Sequence, residues 1–98
     1  MVNSTGCTGN LCLITKDMKI YCTNIADSRC VLGVDDGSGN IVNLDMSVDH
    51  KPSQEAEKIR IEKAGGTVID DRVDGNLNLS RSLGDLHYKR DPKLKAEE

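Results

Sequence analysis

DHKPSQEAEKIRIEKAGG, residues 49 to 66, is where the chain changes period. Pro52 cannot sit in a helix interior, and Ser53 directly after it is a suitable N-cap. Glu55 and Glu57 favour the positive end of a helix dipole, and Gly65-Gly66 offer the left-handed residue that ends a helix. The segment therefore predicts one helix. Ala56, Ile59 and Lys63 or Ala64 would form its stripe, narrow enough to face a single layer.

On the N-terminal side the period is two. In TGNLCLITK, Leu11 and Leu13 fall on one face and Cys12 and Ile14 on the other; KIYCTNI follows after a short turn at Lys16, Asp17 and Met18, so the pair reads as a hairpin. RCVLGV is a third strand, DDGSGN at 35 to 40 a glycine-assisted turn, and IVNL at 41 to 44 a fourth strand. Four short strands joined by tight turns predict an antiparallel meander.

On the C-terminal side, TVIDDRV and NLNLS, joined by Asp74-Gly75, predict a second hairpin. Leu77, Leu79 and Leu83 alternate with polar neighbours as a core strand would, and Gly84 lets the chain turn so that Asp85 faces the rim of the sheet. Strands, one helix, strands is an α+β arrangement. A lone helix cannot cover both faces of a sheet, so a partner or further chain is expected over the remaining face.

Composition narrows the function classes. The 98 residues carry 13 basic and 16 acidic side chains, a net charge of −3 with the signs interspersed, which excludes the clustered basic face of a nucleic-acid binder. No apolar stretch is long enough to cross a bilayer, and the N-terminus lacks a charged then apolar secretory pattern, so no membrane role and a cytoplasmic or nuclear location are expected. With no Trp or Phe the core must be modest. Cys7, Cys12, Cys22 and Cys30 contain no Cys-x-x-Cys pair and read mainly as free, small hydrophobes; a disulfide and a metal site are the lesser alternatives. Residues 90 to 98 read as a solvated, flexible tail.

Three polar clusters fall at strand ends: Asp27 to Arg29, Asp49 to Lys51, and Arg81 with Asp85. Each has a structural reading, as turn former or as lead-in to the helix. A carboxylate behind a glycine at a sheet rim also suits an oxygen-loving cation such as Mg²⁺ or Mn²⁺, though one carboxylate is too few for a cage.

GCTGNLCLI from Gly6, NIADSRCVL from Asn24, DHKPSQEAEKIRIEKAGG from Asp49 and RVDGNLNLSRSLGDLHYK from Arg72 resemble, in order and spacing, consecutive central motifs of the protein phosphatase 2C family. The resemblance runs from about Thr5 to Lys89. Ala26 stands where the family pattern has glycine, and Ser82 where it has alanine. The resemblance implies that residues 1 to 98 are the middle portion of an α-β-β-α sandwich whose parent is a metal-dependent phosphatase acting on phosphoserine and phosphothreonine in a phosphoprotein substrate. It further implies two Mg²⁺ or Mn²⁺ ions held mostly by segments before Thr5 and after Lys89, which are expected to be absent here, leaving this chain alone inactive. His50 would match the acid that protonates the leaving oxygen, and Asp85 a ligand of a weaker additional metal. Asp27, Arg29 and Arg81 would be structural polar contacts. A non-catalytic module that binds a partner through its exposed sheet is the alternative, a cysteine-based metal or redox protein is the third reading, and self-association through exposed sheet edges is expected on either of the first two.

Overall fold

The computed structural model describes residues 4–95. Its strands are β1 (Gly6–Cys7), β2 (Gly9–Ile14), β3 (Ile20–Ile25), β4 (Val31–Asp35), β5 (Ile41–Asp45), β6 (Val68–Ile69), β7 (Arg72–Val73) and β8 (Leu83–Gly84). Among the described residues a helix, α1 (Glu55–Lys63), lies between β5 and β6, and a 3-10 turn spans Leu86–Tyr88. The chain is α+β with antiparallel pairing throughout, as the sequence predicts.

The strands pair two by two. β2 runs against β3 with Cys12 opposite Cys22, and β4 against β5 with Gly33 opposite Asn43. The expected single meander is not formed: among the described residues β3 and β4 do not pair. The physical reason lies in the segment between them. Its backbone is spent on residues 46 to 50 instead, through Met46 N–H to Cys30 O at 3.0 Å and His50 N–H to Ala26 O at 2.9 Å. The β4–β5 turn is held by Asp36, whose Oδ1 accepts from the Ser38 N–H and hydroxyl at 2.8 and 2.6 Å. Those bonds from Ser38 hold its carboxyl down at about 2.

Helix α1 forms where the sequence predicts, with Glu55 and Glu57 in its first turn and Arg60 and Lys63 in its last. Ser53 is not its cap. Gln54 holds that position without a side-chain bond, and the Ser53 N–H is given to Asp71 Oδ1 at 2.9 Å. The helix ends as a Schellman motif: Gly65, at φ +90°, donates to Glu62 O, and Gly66 donates to Ile61 O, both at 3.0 Å. The buried face is also not the expected one. Glu57 and Ile61 point inward, whereas Ala56, Ile59, Lys63 and Ala64 are exposed. A glutamate on the inward stripe is invisible to apolar periodicity.

The second hairpin is β6–β7, turning at Asp70-Asp71 with both φ positive rather than at Asp74-Gly75. Asp74-Gly75 closes only a single bridge, Val73 to Leu77. Leu77 and Leu79 lie outside any strand, so the expected core strand reduces to Leu83–Gly84, which pairs with β1. Gly84 sits at φ +84°, where an added Cβ would run into the Thr5 carbonyl. Of the expected tail, residues 96–98 lie outside the described residues, while Leu94 N–H closes a turn onto Asp91 O at 3.3 Å.

The buried core is small: Ala26, Ile61 and Val73, with Pro52 fully enclosed. Leu11, Leu13 and Ile14 are 60, 53 and 64 % exposed, so neither face of the β2–β3 hairpin is covered. The radius of gyration is 16.7 Å, whereas a compact chain of this length has about 13 Å. The accessible surface is 7244 Å², against about 5,500 Å² for a compact protein of this mass. The excess is as large as a standard interface of about 1,600 Å².

Candidate functional site

Three segments converge at the ends of the strands: residues 26 to 30 after β3, residues 46 to 51 before α1, and residues 80 to 81. Ala26 is fully buried at φ +74°, a left-handed conformation that costs a residue with a Cβ about 1–2 kcal/mol. It is held there by His50. The His50 N–H donates to Ala26 O, and the Ala26 N–H donates to His50 Nδ1 at 3.1 Å. The Asn24 amide adds a second bond to Ala26 O at 2.9 Å. From the third segment, the Ser80 N–H donates to His50 O at 3.3 Å.

Two ion pairs flank this join. Arg29 meets Asp49 through two parallel bonds, Nε to Oδ1 at 3.1 Å and Nη2 to Oδ2 at 2.8 Å. The guanidinium holds the Asp49 carboxyl below the usual carboxylate range. Lys51 Nζ donates to Asp27 Oδ2 at 2.5 Å, and that bond raises the Lys51 ammonium above its ordinary value. Asp27 and Arg29, from the first cluster, thus pair residue for residue with Lys51 and Asp49, from the second.

Arg81 goes elsewhere. Its Nε and Nη2 donate to the two oxygens of Glu57 on α1, at 2.9 and 2.7 Å. Arg60 donates to the same carboxylate and, through Nη2, to Ser80 O at 2.6 Å. Burial opposes the charge on Glu57, but Arg81 and then Arg60 outweigh it and bring its carboxyl down to about 2. Sequence reasoning missed Glu57, taking it only as a first-turn acid. The signal available to it was a guanidinium pair, Arg60 and Arg81, with no acid assigned to either.

Asp85 stands apart. It is 7 % exposed, at φ 48°, with its N–H on Thr5 O at 2.9 Å. Its carboxylate lies against Gly6, where an added Cβ would collide with both oxygens. Among the described residues, no hydrogen bond or ion pair joins it to Asp27, Arg29, His50 or Arg81. The one group of three or more possible metal ligands among the described residues is Cys12, Cys22 and Cys30. All four cysteines are free thiols. Cys12, then Cys22, push the Cys30 thiol up to about 12, so it is no activated nucleophile.

Comparison with known proteins places this arrangement among phosphatases. A family model, "Protein phosphatase 2C", matches residues 1–97. "Probable protein phosphatase 2C 2" of Paramecium tetraurelia is 58% identical over 93 residues, 95% of this chain and 29% of that protein. "Protein phosphatase 2C homolog 2" of Aspergillus fumigatus is 48% identical over 94 residues, 96% of this chain and 20% of that protein. A crystal structure of a phosphatase from Toxoplasma gondii superposes with a TM-score of 0.67 at 29% identity, covering 96% of this chain and 39% of that one. The chain belongs to the protein phosphatase 2C family. It spans about a third or less of the curated relatives it matches.

Proposed function

We propose that this chain is the central part of a catalytic domain whose whole removes phosphate from serine and threonine side chains of phosphoproteins. The observation that supports this most is the family match along residues 1–97, with relatives named as phosphatases at 48 to 58% identity. In such a domain a pair of divalent cations, Mg²⁺ or Mn²⁺, supplies the hydroxide-forming water.

The described residues do not fit that pair. Hard cations of this kind take oxygen ligands, and the only ligand cluster here is three thiols. No step of the hydrolysis is therefore assigned to these side chains. Asp85 fits a lesser role, as one carboxylate of a weaker additional cation site: it is nearly buried, with its carboxylate against the Gly6 backbone. The roles proposed for Asp27, Arg29 and Arg81 are structural, since each spends its charge on a partner from another segment.

For His50 the geometry favours positioning over proton donation. Nδ1 accepts the Ala26 N–H, and an imidazolium has no lone pair to accept it. The neutral ring then carries its proton on Nε2 and holds Ala26 in its left-handed turn.

The test is a graft. Replacing the matched 93 residues of the Paramecium relative by this chain should give a protein that hydrolyses a phosphothreonine peptide with Mn²⁺ and not with EDTA. A folded, monomeric graft without that activity would overturn the proposal.

A further inference from the structure

The three thiols set aside by this reading form a site of their own. Cys12 and Cys22 face each other across the β2–β3 ladder. Cys30 is brought in from just before β4, where its N–H is fixed to Ser47 Oγ at 2.8 Å and its carbonyl accepts from the Met46 N–H at 3.0 Å. Three segments, each with its backbone anchored, thus deliver one sulfur each. The three sulfurs lie within 4.8 Å of one another, with Cys12 Sγ and Cys30 Sγ 3.2 Å apart. A cation about 2.3 Å from each sulfur needs them about 3.7–4.0 Å apart. One pair lies a little inside that range and none is farther apart than 4.8 Å, so small side-chain rotations close the site.

The Asn10 amide Nδ2 lies 3.8 Å from Cys22 Sγ, and the same group is held by Ser28 O at 2.9 Å and Asn24 Oδ1 at 3.0 Å. Those two bonds use both amide hydrogens and hold the Asn10 side chain in place beside Cys22. No His, Asp or Glu joins the cluster among the described residues. The donor set is therefore all soft, with a position left open for water.

We propose that Cys12, Cys22 and Cys30 form a three-thiolate site for a thiophilic d¹⁰ cation, Zn²⁺ or Cu⁺, distinct from any Mg²⁺ or Mn²⁺ involved in phosphate transfer. On binding, each thiol loses its proton to solvent and three sulfur–metal bonds form, with no change of oxidation state. Cys7 lies outside the cluster and serves as the internal control.

The test uses the whole chain, kept reduced with a phosphine. Co²⁺, standing in for Zn²⁺, should give one equivalent of thiolate-to-cobalt charge-transfer absorption that Zn²⁺ displaces. In a second arm, the chain should take one equivalent of Cu⁺ from a chromophoric chelator. Cys12→Ser, Cys22→Ser and Cys30→Ser should each weaken binding at least tenfold, and Cys7→Ser should leave it within twofold. X-ray absorption on the unmutated, metal-loaded chain should show sulfur neighbours at about 2.3 Å, a readout that does not depend on any variant folding. Binding in either arm with these features supports the site and tells which cation fills it. Absence of binding in both arms, a shell of nitrogen and oxygen only, or binding unchanged in Cys12→Ser and Cys30→Ser would overturn it.

Discussion

His50 and Ala26, 24 residues apart in sequence, hold each other by reciprocal bonds: the His50 N–H on Ala26 O at 2.9 Å, and the Ala26 N–H on His50 Nδ1 at 3.1 Å. The pair ties the end of β3 to the lead-in of α1. It also sustains an alanine at φ +74°.

Ala26→Gly should stabilise the chain. Relief of left-handed strain is worth about 1–2 kcal/mol, and the added freedom of the unfolded glycine takes back about 0.4–1 kcal/mol. The expected net gain is about 0.5–1 kcal/mol, read from the shift in the urea midpoint. A loss of stability would mean that the Ala26 methyl packs more favourably than its strain costs.

His50→Leu removes the acceptor of the Ala26 N–H and leaves a buried donor unpaired, which should cost about 1–3 kcal/mol. His50→Asn keeps an acceptor oxygen near the place of Nδ1 and should lie closer to the unmutated chain. In the graft, the two accounts of His50 separate. Positioning predicts that His50→Asn retains most activity, whereas proton donation predicts a loss of about 10²–10⁴.

Glu57→Gln should destabilise the chain by about 2 kcal/mol, less than a fully buried pair because Arg81 is 37 % exposed. The native carboxyl sits at about 2, below its ordinary 4.5, so its stabilisation is fully present above pH 4.5 and is lost as pH falls toward 2. Urea midpoints on either side of that window should fall with acid in the unmutated chain. In Glu57→Gln that part of the slope should be gone. By contrast, the Arg29–Asp49 pair, 60 % exposed on the arginine side and screened by solvent, should show little coupling in a double-mutant cycle.

What the sequence showed clearly was local. The β2–β3 and β4–β5 hairpins follow from alternation, and the end of α1 from Gly65-Gly66, because both signals depend on near neighbours. What it hid was relational. Whether β3 pairs with β4 depends on where the backbone of residues 26 to 30 finds its partners, and those lie some twenty residues on, at 46 to 50. The inward face of α1 is set by Arg81 reaching Glu57 across 24 residues. The gathering of Cys12, Cys22 and Cys30 is of the same kind: no spacing motif announces it, only register across β2 and β3 together with the anchoring of Cys30.

The uncovered apolar surface should drive association. Leu11, Leu13, Ile14 and Ile41 are all more than half exposed, and every two-stranded sheet presents unpaired edges. Sedimentation is expected to show oligomers growing with concentration, together with binding of an apolar dye. A compact monomer that binds no dye would mean that the hairpins close over one another in solution.

On the proposed reading, this chain supplies framework and the Asp85 carboxylate to a phosphatase, and not the cation pair that does the chemistry. The direct measurement is hydrolysis of a phosphothreonine peptide by the unaltered chain with Mn²⁺, against an EDTA control and Asp85→Asn. The expected result is no turnover above the control in either protein. Manganese-dependent turnover that disappears in Asp85→Asn would contradict the claim, because these residues would then be holding a catalytic cation themselves.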